Sequence, residues 1–341
     1  PAQVSLAGNK VIDACEVLRG NNFPGQRGRF HAGGAWAPEH ADDPLGLIQA
    51  ARSALAAAKT AGRAFDHFSS DLAARGQSDA GFESEVARAL ESRQFQIFLQ
   101  PQVELPSRRL VGAEALLRWH REGQAIASPP DILAVLERIG LMGELSRWVI
   151  QQTAQVLATL AHVGCEVAVS VNLVADDLND PELPLFIGQT CETWRVPTSR
   201  MCFELTEGSL VPRDGMSKHN LEVLRVGGGR LALDDFGTGY SSMDYLRRLP
   251  VDELKLDKSF VERITLTDND RAIVELMVRI AHTFGLDVVA EGVEDVATET
   301  VLREMGCDRA QGYLYAPAMS VEQFIEWWGA RREGALDTPV L

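Results

Sequence analysis

From about residue 82 onward the hydrophobic pattern alternates between short apolar runs and longer stretches in which apolar residues recur at helical spacing. The runs Val167–Val171, Met201–Leu205, Arg230–Leu233 and Asp287–Ala290 predict short strands buried on both faces. Between them, Leu145, Trp148, Val149, Val156, Leu160 and Val163 share one face of a helix closed by Gly164. Ile273, Leu276, Met277, Ile280 and Phe284 do the same ahead of Gly285. Ser128-Pro-Pro-Asp131 has the form of a helix start, with Ile132, Val135 and Leu136 following on one face. Strands alternating with helices predict parallel βα units. Repeated over roughly 250 residues, they match a closed (β/α) barrel of the TIM type. An open doubly wound sheet is the rival architecture, but no Gly-x-Gly-x-x-Gly follows a predicted strand.

Residues 1–76 follow a different pattern and predict a small α+β segment. Ala51–Lys59 is alanine-rich and helix-favouring, with Gly62 just beyond it, and Phe30–Pro38 is weakly strand-like. The small, polar stretch from Ala73 to Gly81 predicts a linker, placed at 77–81. The barrel is expected over 82–330 and a tail over 331–341.

The chain has 341 residues, 45% apolar and 24% charged, enough for a sizeable core. No apolar run is long enough to span a bilayer, so no membrane contact is expected within this chain. It opens on Pro1 rather than Met and is expected to be part of a longer protein, in which an anchoring or sensory region can precede it. Five scattered cysteines with no Cys-x-x-Cys pair argue against a disulfide framework or a structural zinc site and suit the cytoplasm. A formal net charge of −15 disfavours nucleic acid polymers and anionic membranes. A small phosphate ligand remains compatible if cations bridge it to the protein's carboxylates.

The predicted strands lead into a repeated chemistry. Leu110-Val-Gly-Ala runs into Glu114, Val169-Ser-Val into Asn172, Cys202-Phe into Glu204, Leu231-Ala-Leu into Asp234 and Asp235, and Val288-Val-Ala into Glu291. Lys255 lies late in Glu253-Leu-Lys-Leu-Asp257. In a barrel the C-terminal strand ends converge on one face. Any one of these residues could simply cap the next helix, but glutamate is a poor N-cap, and helix capping does not require strand after strand to end alike. Gathered carboxylates repel unless cations lie between them, and an all-oxygen set without histidine selects Mg²⁺ or Mn²⁺ over zinc.

Glu114-Ala-Leu-Leu-Arg-Trp119 resembles the signature of the EAL family of cyclic di-GMP phosphodiesterases. Phe98-Leu-Gln-Pro101, Val171-Asn-Leu173, Glu204-Leu-Thr-Glu207, Asp234-Asp-Phe-Gly-Thr-Gly-Tyr-Ser-Ser242, Leu254-Lys-Leu-Asp257, Glu291-Gly-Val-Glu294 and Gln311-Gly-Tyr-Leu314 resemble its other blocks, in order. Gly208, where the family more often has serine, and Ala316-Pro-Ala-Met319 depart from the pattern without removing an acidic group. The resemblance implies one or two ions held by Glu114, Asn172, Glu204 and Asp234, with Asp235 helping with the second. Glu291 would be the general base, with Lys255 orienting the attacking water. Gln100, Leu117, Arg118, Glu294 and Tyr313, and more weakly Asp257, would contact substrate. Arg118 could instead form a surface salt bridge, and Tyr313 could instead pack in the core. The implied reaction is hydrolysis of cyclic di-GMP to linear pGpG. A receptor that binds the dinucleotide without hydrolysis is the alternative, although every acidic position is present. A homodimer through the barrel is also implied, with contributions from the glycine-rich loop after Asp235 and the helix that follows. Segments within 25–75 resemble the C-terminal half of a GGDEF domain, but its signature is absent, so no cyclase activity is expected.

Overall fold

The computed structural model describes residues 10, 30–41, 43–60, 63–68, 70–121, 123–206, 215–237 and 250–332. The expected glycine-rich loop beyond Gly237, Glu207, Gly208 and most of the first 29 residues lie outside that set. The chain divides into two compact units, Pro1–Arg88 and Ala89–Leu341.

In the first unit, β1 (Ala32–Gly34), α1 (Pro44–Thr60) and β2 (Phe65–His67) form a parallel crossover, with Ala32 opposite Phe65 and Gly34 opposite His67. Gly33 lets α1 lie directly on the strand, since a Cβ there would stand 2.2 Å from the Ala51 carbonyl oxygen. Helix α2 (Ser70–Glu91) follows. Residues 77–81, expected as a linker, are therefore helical. Ala73, Ala74, Arg75, Gln77 and Ala80 favour helix, while Gly76 and Gly81 cost only about 1 kcal/mol each.

The second unit begins with β3 (Gln96–Glu104), β4 (Leu110–Arg118) and a short ribbon of β5 (His120–Arg121) and β6 (Gln124–Ala125). Then come α3 (Pro129–Ile139), α4 (Met142–His162), β7 (Ala168–Leu173), α5 (Leu183–Trp194), β8 (Met201–Thr206), α6 (Gly215–Val226) and β9 (Arg230–Phe236). Beyond these lie β10 (Glu253–Leu256), α7 (Lys258–Val261), α8 (Asp268–Thr283), β11 (Asp287–Ala290), α9 (Val296–Glu304), β12 (Arg309–Gln311) and α10 (Val321–Arg332). Eight strands close into a barrel in the order β10-β11-β12-β3-β4-β7-β8-β9. The expected α/β, TIM-like architecture is present, with one departure. Strand β3 runs antiparallel to both β12 and β4. A few residues of turn join β3 to β4, and a connection that short can only make an antiparallel pair.

Helix ends follow local chemistry. Ser128 caps α3 by accepting a hydrogen bond from the Asp131 amide, and Gly140 ends it in the left-handed region at φ 75°. The expected buried face of α8 is displaced, however. Val274, Val278 and Ala281 are buried, whereas Ile273 and Leu276 are 43% and 58% exposed. The smaller side chains form the stripe that lies against the barrel, about 100° round from the expected one. Cys165, Cys191, Cys202 and Cys307 are buried and unpaired.

The N-terminal end of the barrel is tied by ions. Arg230, Glu253, Asp287 and Arg309 are the first residues of β9, β10, β11 and β12. Arg230 and Arg309 approach Glu253 at 2.7 and 2.9 Å and Asp287 at 3.2 and 2.8 Å. Glu253 is buried, so removing its charge leaves two guanidinium groups with only the more exposed Asp287 as a shared partner. Glu253→Ala should therefore lower unfolding stability by about 3 kcal/mol in chemical denaturation. A change below about 0.5 kcal/mol would show that the network does not brace the barrel.

Candidate active site

Strand register assembles the opposite end. Asn172 lies opposite Glu204 between β7 and β8, Thr206 lies opposite Asp234 between β8 and β9, and Glu114 lies opposite Ser170 between β4 and β7. Glu291 follows β11 directly and donates its amide to the Leu256 carbonyl at 3.1 Å. Asn172, Glu204, Asp234 and Lys255 all sit within two residues of a strand's end, as expected. Glu114 does not. It lies in the middle of β4, because pairing with β3 carries the strand on to Arg118.

At the centre stands Lys255, 1% exposed. Its Nζ lies 2.6 Å from Glu291 Oε1, 2.7 Å from Glu204 Oε2, 3.2 Å from Asp234 Oδ1 and 3.7 Å from Glu114 Oε2. Burial alone would depress the lysine pKa, but Glu114, Glu204, Glu291 and Asp234 outweigh it and hold the ammonium well above its usual range. Burial acts on the carboxylates in the opposite sense, raising them. Burial drives Glu204 far upward despite Lys255, with Glu114 and Asp234 adding to the rise. Burial also raises Glu291 to about 7, again against the pull of Lys255. Asp235, at φ 54°, is pushed up by burial and by its neighbours Asp234 and Asp257. Carboxylate oxygens of Asp234, Asp235 and Glu291 lie within 4.8 Å of one another.

A single ammonium leaves this cluster short of positive charge. Glu204 Oε1 is buried and, among the described residues, has no hydrogen-bond partner. Asn172 donates its amide to Glu114 Oε1 at 3.2 Å, which leaves its own carbonyl oxygen available. Surplus carboxylates, an orphaned buried oxygen and a donor set made of oxygen alone suit a hard divalent cation.

The remaining predicted residues lie around this centre. Gln100 pairs across the sheet with Glu114, and Leu117 and Arg118 end β4, both half-buried. Arg118 donates to the Leu117 carbonyl at 2.8 Å, and burial lowers its pKa against the pull of Tyr313 and Glu114. Tyr313 is 65% exposed, which removes the core-packing alternative. Glu294 pairs with Lys258 at 2.5 Å. Asp257 caps α7 by accepting from the Ser259 amide at 3.1 Å, so its carboxylate already serves a local structural role. Gln311 carried no assigned role in the sequence, yet its side-chain amide donates to Glu114 Oε2 at 2.6 Å. The signal available was a glutamine at the end of a short strand, a weak one until β12 is known to pair with β3.

The EAL domain family model matches residues 83–318. The chain is 33% identical over 244 residues to the cyclic di-GMP phosphodiesterase RocR of Pseudomonas aeruginosa, covering 72% of this chain and 62% of that one. It is 31% identical over 295 residues to the cyclic di-GMP phosphodiesterase PdeR of Escherichia coli, covering 86% and 44%. It thus spans less than two thirds of the length of either relative. Among solved structures, the PaMucR phosphodiesterase in complex with c-di-GMP aligns with a TM-score of 0.67 at 33% identity, over 71% of this chain and 98% of that one.

The raised pKa of Glu291 has a consequence for stability. A folded-state value of about 7 against 4.5 unfolded means the proton is held more tightly in the folded protein. That contribution is full below pH 4.5 and is lost as pH rises through about 7. With metal chelated, wild-type stability should fall across that window by about 2–3 kcal/mol more than that of Glu291→Gln. Parallel pH profiles for the two proteins would contradict the assignment.

Proposed function

This chain belongs to the EAL-domain family, and from that premise we propose that it hydrolyses one phosphodiester bond of cyclic di-GMP to give linear pGpG. The observation that carries the reading is the cluster of Glu114, Glu204, Asp234 and Glu291 around buried Lys255, with the more exposed Asn172 bonded to Glu114 and one Glu204 oxygen unpartnered among the described residues. Glu114, Asn172, Glu204 and Asp234 would hold Mg²⁺ or Mn²⁺, one ion or two, with Asp235 contributing to the second. Bound there, the ions supply activation of a water and charge stabilisation on the attacking and leaving oxygens.

The chain's own groups divide the remaining work. Glu291, raised to about 7, can accept a proton near neutral pH and is assigned as the general base. Lys255, held cationic by its neighbours, is a fixed donor that orients the water and keeps Glu291 in place. Water adds to phosphorus as the bond to the ribose 3′ oxygen breaks, and that oxygen leaves as a hydroxyl. Arg118 can present a forked guanidinium to the phosphate. Gln100, Leu117, Asp257, Glu294 and Tyr313 are the other substrate contacts proposed. In a chain of net charge −15, such bridging cations offset the repulsion that a dianionic dinucleotide meets.

A homodimer through the barrel is part of this proposal, supported by the outward-facing Ile273 and Leu276 on α8. Among the described residues no helix is long and apolar enough to cross a membrane. The β1–α1–β2 crossover is compatible with a GGDEF remnant before the barrel, for which no cyclase role is proposed.

Incubation with cyclic di-GMP and Mg²⁺ or Mn²⁺, followed by chromatography, tests the central reading. The wild type should release pGpG, Ca²⁺ should fail to support turnover because of its larger, looser coordination, and Glu114→Ala and Glu291→Gln should each lose at least about 100-fold. Tight binding of the dinucleotide without product would identify a receptor instead, and a monomeric mass in sedimentation would remove the homodimer.

A further inference from the structure

Behind Glu114 three glutamine side chains cross the barrel interior. Gln102 and Gln311 are 3% and 4% exposed. Gln102 Nε2 donates to Gln311 Oε1 at 3.0 Å, and Gln311 Nε2 donates to Glu114 Oε2 at 2.6 Å and to Gln100 Oε1 at 3.1 Å. Backbone register sets this chain up. Gln102 lies opposite Gln311 between β3 and β12, while Gln100 and Glu114 face each other between β3 and β4. The residue opposite Gln102 on β4 is Gly112, where a Cβ would stand 2.8 Å from Gln102 Oε1. A missing side chain on β4 therefore makes room for the amide.

A glutamine amide has two ends of opposite character. Gln311 must turn its N–H end toward Glu114, because its carbonyl end at that separation would face a carboxylate oxygen. Shape does not settle the choice, since the two ends are nearly the same size. The acceptors Glu114 Oε2 and Gln100 Oε1 favour the N–H end on one side, and the donor that Gln102 places on Gln311 Oε1 locks the same choice from the other. We propose that Gln102 is a positioning residue: it fixes the amide orientation of Gln311 and thereby holds the Glu114 carboxylate in the pose that receives a divalent ion. Asn172 braces the other oxygen, so Glu114 is held from both sides by amides. The proposal rests on the reading of Glu114 as an ion ligand. It adds a residue outside the carboxylate cluster, one whose side chain touches neither ion nor substrate.

The test is calorimetric titration of the full, substrate-free chain with Mn²⁺, alongside thermal unfolding of the metal-free protein. Gln102→Met keeps length and volume but removes the donor, while Gly112→Ala retains every amide and displaces Gln102. Gln102→Met should bind Mn²⁺ about 10–100-fold more weakly, as loss of a group supporting a ligand does, while its metal-free unfolding midpoint falls by a few degrees from the lost buried hydrogen bond and the protein stays folded at the titration temperature. Gly112→Ala should shift affinity in the same direction, and turnover of Gln102→Met should recover toward wild type at saturating Mn²⁺, with KM for cyclic di-GMP unchanged. Wild-type Mn²⁺ affinity in Gln102→Met overturns the proposal. Should that variant not fold, wild-type affinity in Gly112→Ala overturns it equally. A wild-type chain that binds no Mn²⁺ refutes the ion site itself, an outcome distinguishable from failure of the relay.

Discussion

The structure turns on a charge imbalance in a buried place. Glu114, Glu204, Asp234 and Glu291 come from four different strands or strand ends, and among the described residues the ammonium that pairs with all four is Lys255. Bringing them together out of water is unfavourable unless positive charge is supplied, and one lysine supplies too little. The upward displacement of Glu204 and Glu291 is the same imbalance expressed as proton affinity. A divalent ion relieves it by a route that leaves the carboxylates ionised and the lysine free to act as a donor.

The barrel makes this arrangement tolerable by separating its two ends. Ion pairs among the first residues of β9, β10, β11 and β12 close the N-terminal end, two arginines flanking two carboxylates at 2.7–3.2 Å. The C-terminal end carries like charges at close range. Stability and chemistry therefore draw on different ends of the same strands, which is the division expected of a TIM-like barrel. The antiparallel β3 alters that plan locally. It extends β4 beyond Glu114 and brings Gln100 and Gln102 alongside it, giving Glu114 a supporting set of amides that a purely parallel barrel would place differently.

Much of this was legible from residue order alone, and the reasons differ by element. Strands β7, β8, β9 and β11 could be read because they are short and apolar and each leads into an acid or amide. Helix α3 could be read because Ser128, two prolines and Gly140 mark both of its ends. The buried face of α8 could not, since Ile273 and Leu276 are more hydrophobic than the Val274, Val278 and Ala281 that were buried in their place. Nor could the central position of Glu114 in its strand, which depends on an antiparallel partner distant from the βα pattern. The roles of Gln102 and Gln311 could not be read for a related reason. An uncharged amide acquires meaning only from what the opposite strand presents to it. The helicity of residues 77–81 was not legible because small polar composition reads as irregular, whereas a helix absorbs two glycines at modest cost.

The central claim is that these carboxylates share divalent ions, and anomalous diffraction from crystals soaked in Mn²⁺ addresses it most directly. The account predicts at least one manganese peak about 2 Å from oxygens of Glu114, Asn172, Glu204 and Asp234, with the Lys255 ammonium drawn away from Glu204. Crystals that show no peak there at saturating Mn²⁺, with Lys255 still bound to Glu204, would contradict it.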